Sequence, residues 1–313
     1  MILALSGGVG GAKLALGLAR ILPPERLTVV CNTADDFEHL GLAISPDLDT
    51  VMYTLAGVAN RELGWGRQDE TWSFMETLAG LGGETWFRLG DRDLAVHVER
   101  TRRLRAGETL SAITADFCRR LGVAARVLPM TDDAVRTHLL TESGWIEFQD
   151  YFVRRRCEPV VRELRFEGAE QARAHPGFLA ALEDPELEAV VICPSNPFIS
   201  VEPILALPGV RAAIEACRAP VIAVSPIIGG RAVKGPTAKM MTELGITPSA
   251  SAVAERYGDL LDGYVVDLAD MSEVKAIRPR VTLAQTLMAS LEDREAVART
   301  VIDAAKKLRR AKA

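Results

Sequence analysis

Apolar runs of four to six residues recur along the chain, each followed by turn residues and then by apolar positions at helical spacing. Residues 2–5 lead into Gly7, Gly8, Gly10 and Gly11 and a helix over about 12–22, and residues 27–31 form the next short run. A strand, a glycine turn, a helix and a strand in that order predict the start of a parallel sheet. The signal returns late in the chain. Residues 189–193 end in Pro194-Ser195-Asn196-Pro197, and residues 221–224 end in Ser225-Pro226-Ile227-Ile228-Gly229-Gly230. Between them Pro208-Gly209 opens a helix through about Cys217, and helices over about 237–244 and 250–257 lead to a further strand at 264–267.

The middle reads differently. Residues 71–81, 93–103 and 109–121 have helical spacing, whereas 135–140 and 145–153 flank Glu142-Ser143-Gly144 as the arms of a hairpin would. The expected architecture is an α/β fold: a mostly parallel sheet flanked by helices, built from 1–60 and 181–313, with 61–180 as a smaller helical and β-hairpin insertion. A basic-ended amphipathic helix over about 293–310 closes the chain.

Composition narrows the function classes. With 313 residues, 48% hydrophobic and 25% charged, the chain is an ordinary globular protein long enough for a substantial core. A net charge of -5, with no long basic run before Lys306-Lys307-Leu308-Arg309-Arg310, argues against nucleic acid as a partner. The N-terminus lacks the basic leader and long apolar stretch of a signal peptide, and no apolar run reaches the ~20 residues that span a bilayer. Five scattered cysteines without a CxxC pair read as reduced core thiols, so a cytoplasmic protein is expected. Four histidines without HExxH or HxH spacing speak against a histidine-bound zinc.

Three segments carry candidate chemistry. Ser6-Gly7-Gly8-Val9-Gly10-Gly11-Ala12-Lys13 follows a strand and opens a helix, where bare backbone N–H groups and the helix N-terminus suit a phosphate. It matches neither a Walker loop, because Lys13 lies between Ala12 and Leu14, nor GxGxxG; packing glycines in a tight turn are the simpler alternative. Asn32-Thr33-Ala34-Asp35-Asp36 and Ser45-Pro46-Asp47-Leu48-Asp49-Thr50 place carboxylates after the second strand, facing the same crevice, where Mg²⁺ would offset their repulsion of a phosphate. Capping of the following helix by Ser45 or Asp47 is the competing use. In Arg88-Leu89-Gly90-Asp91-Arg92-Asp93 the arginines suit a phosphate or carboxylate, although such a run also occurs as a solvated loop. The loops at Asn196 and at Ser225 to Gly229 end strands where ligands bind in such sheets, or simply turn the chain.

Taken in order, these blocks, together with Leu128-Pro129-Met130-Thr131-Asp132-Asp133 and Phe148-Gln149-Asp150-Tyr151-Phe152, resemble the 2-phospho-L-lactate transferase family, from residue 1 to about 270. The resemblance implies a Rossmann-like fold, usually homodimeric, and a step in making coenzyme F-420. A phospholactyl or related phospho-acid group (the enolpyruvyl or glyceryl equivalent) passes from its guanosine diphosphate ester to the ribityl hydroxyl of the deazaflavin FO, with GMP leaving and Mg²⁺ required. It implies Asp49 as a deazaflavin contact that orients or deprotonates the hydroxyl, and Arg88 as a second contact where relatives carry Lys. On this reading Asp35, Asp36 and Asp49 hold the metal, Gly7, Gly8, Gly10, Gly11 and Lys13 hold the donor diphosphate, and Asn196, Ser225 and Gly229 meet the rest of the donor. The insertion would contribute to the deazaflavin site. Two rivals remain at this point: a nucleotide-sugar-binding regulatory protein of the same superfamily and a dinucleotide-dependent oxidoreductase, the latter disfavoured by the broken GxGxxG.

Overall fold

The computed structural model describes residues 1–60 and 62–308. Its centre is a seven-stranded, all-parallel sheet of β1 (Ile2–Ser6), β2 (Leu27–Cys31), β3 (Arg126–Pro129), β4 (Ala189–Ile192), β5 (Val221–Val224), β6 (Gly263–Asp267) and β7 (Arg280–Ala284). The spatial order is β7-β6-β5-β4-β1-β2-β3. β1, β2, β4, β5 and β6 are buried along their whole length, because helices cover both faces. Alternate residues feed opposite cores: Leu3, Leu5 and Val30 pack on one face, Ile2, Ala4, Val29 and Cys31 on the other.

The expected parallel sheet is present, with two additions at its edges. β3 lies inside the 61–180 stretch expected to stand beside the sheet, so that stretch also supplies an edge strand. β7 had no counterpart in the apolar pattern. Both are edge strands interrupted by Arg, Thr or Pro, so neither presents a continuous apolar run. The rest of 61–180 forms α3 (Ser73–Gly80), α4 (Asp91–Arg105), α5 (Leu110–Arg120) and a three-stranded antiparallel sheet of Arg136–Thr141, Gly144–Glu147 and Glu163–Glu167. The expected second hairpin arm is shorter, because Asp150–Arg154 winds into a π-helical turn.

Two helices on one face fix the first loop of the sheet. α1 (Val9–Ile21) packs along the C-terminal helix Leu291–Lys307, so closely that a Cβ on Gly17 would stand 2.2 Å from the Arg294 carbonyl oxygen. The C-terminal helix begins with a capping box of Ser290 and Asp293 and ends in Lys306 and Lys307; Arg309 and Arg310 lie outside the described residues. α2 (Pro46–Leu55) starts with proline at its first position and lies against α1. No single described helix is long and apolar enough to cross a membrane. The five cysteines form no disulfide.

Candidate active site

Strand order reverses between β1 and β4: the chain runs outward on one side through β2 and β3, then returns to build β4 to β7 on the other. The loops at the carboxyl ends of β1 and β4 must diverge there, and they leave a crevice. A cavity of about 480 Å³ fills it. Gly8, Val9, Gly10 and Lys13 line it from the β1 side, Asp35 from β2, Pro194 to Asn196 from β4, Ser225 and Pro226 from β5, and Thr286 to Met288 from beyond β7.

The glycine loop serves packing and ligand access together. A Cβ on Gly10 would stand 2.2 Å from the Pro194 carbonyl oxygen, and one on Gly8 would stand 2.4 Å from Asp47 Oδ1. Yet Gly8 and Gly10 also face the cavity, and Gly8, at the N-cap of α1, gives that helix no side-chain cap. The first N–H groups of α1 therefore point at the crevice without a side-chain acceptor from the cap. Gly7 and Gly11 do not line the cavity, and the Gly7 N–H donates to Ser195 Oγ at 2.9 Å; their part is close packing. Gly10→Ala should cost about 1–3 kcal/mol by chemical denaturation, because a backbone carbonyl cannot yield to the new methyl. An unchanged denaturation midpoint would contradict this packing.

The carboxylates sort differently from the expectation. Asp35 and Asp47 line the cavity, and one amide joins them: Asn32 Nδ2 donates to Asp35 Oδ1 at 3.2 Å and to Asp47 Oδ2 at 3.0 Å. Burial, then the Asp47 and Asp36 charges, holds the Asp35 carboxyl well above the usual range. Burial pushes Asp47 up to about 6, against hydrogen bonds from Asn32 and the Gly8 N–H. Asp47 thus bonds the glycine loop rather than capping its own helix, and Ser45 makes no cap bond either. Asp36 is raised to about 7, chiefly by burial; it accepts from Ser45 Oγ at 2.7 Å and faces a small side cavity beside Arg136 rather than the main crevice.

Asp49 does not reach the crevice. It lies on the buried side of α2, where Arg100 of α4 grips it with both terminal nitrogens, Nη1 to Oδ2 at 3.0 Å and Nη2 to Oδ1. His97 stands between Asp49 Oδ2 at 3.7 Å and Asp93 Oδ1 at 3.3 Å, and Tyr53 Oη donates to Asp93 at 2.7 Å. Asp49, Asp93 and His97 bring ligand atoms within 4.8 Å of one another, a grouping that could hold a metal ion. The Arg100 fork already satisfies both Asp49 oxygens, which makes this an ion-pair network joining α2 to α4. Residues two positions apart on a helix differ by ~200° in direction, so Asp47 and Asp49 face opposite ways.

Part of the cavity lining is aromatic. Trp86, Phe87, Phe148 and Phe152 form that part; Phe148 and Phe152 stack at 5.3 Å with planes 14° apart, and Phe87 meets Phe37 edge-on at 4.8 Å. Arg88 lines the cavity too, its guanidinium 4.1 Å from the centre of the Trp72 ring. The clustering of Trp72, Phe74, Trp86 and Phe87 in a chain only 5% aromatic was the available signal for this surface. Asn196 and Ser225 also line the cavity, although Asn196 Oδ1 caps the turn at Phe198 and Ser225 Oγ donates to the Ile227 carbonyl. Gly229 stays outside it, its N–H held by Asp270 Oδ2 at 2.9 Å. Lys13 donates to the Met288 carbonyl at 2.8 Å, and burial, then Arg294 and Lys234, lowers its proton affinity. Lys234, which the motif reading passed over, lines the cavity as well.

An all-parallel sheet with an open helix N-terminus, two lysines and a carboxylate pair at its switch point defines an α/β protein with a charged, partly aromatic ligand crevice. The model of the family "2-phospho-L-lactate transferase CofD" matches residues 2–306. The chain is 43% identical over 317 residues to the phosphoenolpyruvate transferase of Streptomyces griseus, covering 98% of this chain and 99% of that one. It is 41% identical over 302 residues to the 2-phospho-L-lactate transferase of Methanosarcina mazei, covering 96% and 98%. A crystal structure of a UPF0052-family protein from Bacillus halodurans superposes with a TM-score of 0.65 at 15% identity, covering 96% of this chain and 98% of that one, and shares the fold. The chain belongs to the 2-phospho-L-lactate transferase family and is an enzyme of the transferase class.

Proposed function

We propose that this enzyme moves a phosphorylated three-carbon acid from its guanosine diphosphate ester to the ribityl hydroxyl of the deazaflavin FO, releasing GMP, in coenzyme F-420 biosynthesis. The single observation that supports it best is one cavity lined both by carboxylates, lysines and the start of α1 and by aromatic rings with Arg88. A diphosphate ester suits the first set of groups and a flat tricyclic ring the second. The printed names of relatives, phosphoenolpyruvate and 2-phospho-L-lactate transferase, favour an acid phosphorylated on its second carbon.

In the transfer the hydroxyl oxygen attacks the phosphorus that carries the acid. The bond from that phosphorus to the bridging oxygen breaks, and the oxygen leaves with the electron pair on the phosphate of GMP, while the hydroxyl proton is lost to water. Little covalent work falls to the protein; holding two ligands in line and balancing charge is the task. The N-terminus of α1 and Lys13 would hold the diphosphate, and the aromatic rings with Arg88 would fix the deazaflavin ring so that its ribityl chain reaches the phosphorus. The residues fit a divalent cation best at Asp35 and Asp47, whose buried oxygens crowd one another around a single amide donor. Mg²⁺ bound there would supply charge neutralisation of the diphosphate. We place the acceptor site partly on the 61–180 stretch, and a homodimeric assembly rests on the family resemblance.

The test is direct. Purified protein with FO, Mg²⁺ and the guanosine diphosphate ester of enolpyruvate, lactate or glycerate should yield GMP and a more acidic deazaflavin on chromatography; no product with any donor would sink the proposal.

The carboxylate pair also sets a pH dependence. Carboxyls whose folded-state pKa lies above the ordinary ~3.9 contribute stability that is full below that value and is lost as pH rises through the folded one. For Asp47 and Asp36 the loss runs up to about 6 and about 7. Mg²⁺ binds the ionised pair, so it should raise the thermal midpoint by several degrees at about pH 8 and hardly at all at about pH 5. Equal shifts in calorimetry at both pH values would remove Asp35 and Asp47 as the cation site.

A further inference from the structure

We propose that Lys234 is a catalytic residue of the transfer, its ammonium contacting the phosphate that departs with the nucleoside. Lys234 sits in the stretch between the short strand Arg231–Ala232 and the helix Thr237–Glu243, far in sequence from the glycine loop, and lines the same cavity as Gly8, Gly10 and Lys13. The role rests on the transferase reading and adds to it a residue that no motif marks.

Geometry places the ammonium near the open end of α1. A Cβ on Gly64 would stand 2.7 Å from Lys234 Nζ and 3.6 Å from Cγ1 of Val9, the first residue of that helix. Lys234 Nζ and the Val9 side chain therefore both flank Gly64, which brings the cation to the neighbourhood of a helix N-terminus and its partial positive charge. Lys13 is one turn further along the same helix, and the Lys234 charge reaches it. Among the described residues Lys234 has neither a hydrogen bond nor an ion pair. Two ammonium groups and a helix N-terminus turned toward one space repel one another, and a multiply charged anion between them removes the repulsion.

A nucleoside diphosphate ester brings that anion. As the bond to the acid-bearing phosphorus breaks, the electron pair moves onto the bridging oxygen and the leaving phosphate gains negative charge. A fixed ammonium at that oxygen stabilises the charge as it develops, which accelerates the step, whereas contact with the resting diphosphate contributes only to binding. Lys234 is exposed, and it lines the cavity together with Leu63 and Trp65, the two neighbours of Gly64.

The experiment compares wild type, Lys234→Met and Lys234→Arg in turnover and in calorimetric affinity for GDP and for guanosine. Lys234→Met should weaken GDP about tenfold, the scale of one charge-assisted contact, and leave guanosine unchanged. Its kcat should fall about a hundredfold with KM for FO unaltered, and Lys234→Arg should recover most of both losses. A wild-type protein that transfers nothing overturns the transferase reading and this role with it. A wild type that transfers, while Lys234→Met keeps its turnover and GDP affinity within about twofold, overturns the role of Lys234 alone.

Discussion

Asp47→Asn should lower turnover by about a hundredfold or more and leave the thermal midpoint at or above that of the wild type. The carboxylate lies in the crevice, shares Asn32 with Asp35 and meets the Gly8 N–H, so in the proposed reaction it would face the diphosphate and its cation. Neutralising it removes a charge that burial already disfavours, which is why stability should not fall. Steady-state GMP release and a melting curve on the same preparation check both halves. Wild-type turnover in this variant would remove Asp47 from the site.

Arg100→Met should do the reverse, costing about 3–5 kcal/mol of unfolding free energy, a large part of what a domain has. Arg100 is 1% exposed and forks onto Asp49, with Asp93 and His97 completing the network between α2 and α4. Removing it strands the Asp49 carboxylate in a buried site with Asp93 as its nearest fellow charge. Replacing both partners with apolar residues, Asp49→Leu with Arg100→Met, should recover most of the loss, because buried pairs seldom outdo well-packed hydrophobic substitutes. Denaturant titration of the two variants decides it: a loss below about 1 kcal/mol for Arg100→Met would contradict the network, since surface pairs are worth that little.

These two expectations mark where sequence reading stops. The strands at Ile2–Ser6, Leu27–Cys31 and Ala189–Ile192 were legible because strands buried on both faces leave unbroken apolar runs. The edge strands Arg126–Pro129 and Arg280–Ala284 were not, since polar residues and proline are acceptable where one side lacks a partner strand. The acidic block was legible, but which of its members line the crevice was not. Which of Asp47 and Asp49 looks into the crevice depends on how α2 rotates against α1 and α4, and a helix offers both faces equally until it is packed. Arg88, Trp86 and Phe87 come from one stretch of chain, so that cluster could have been noticed, whereas only the fold adds Phe148 and Phe152 to it. Lys234 could not, because nothing local ties residue 234 to Val9; only the fold brings them together.

In the proposed transfer the phosphate nearest the acid moves to the deazaflavin and GMP departs. A single turnover with FO and a donor ester carrying heavy oxygen only at the bridge between its two phosphorus atoms tests it, read by mass spectrometry of both products. One labelled GMP should form for each unlabelled phospho-acid deazaflavin. Label retained on a released phospho-acid, with the nucleotide joined to the deazaflavin instead, would contradict it.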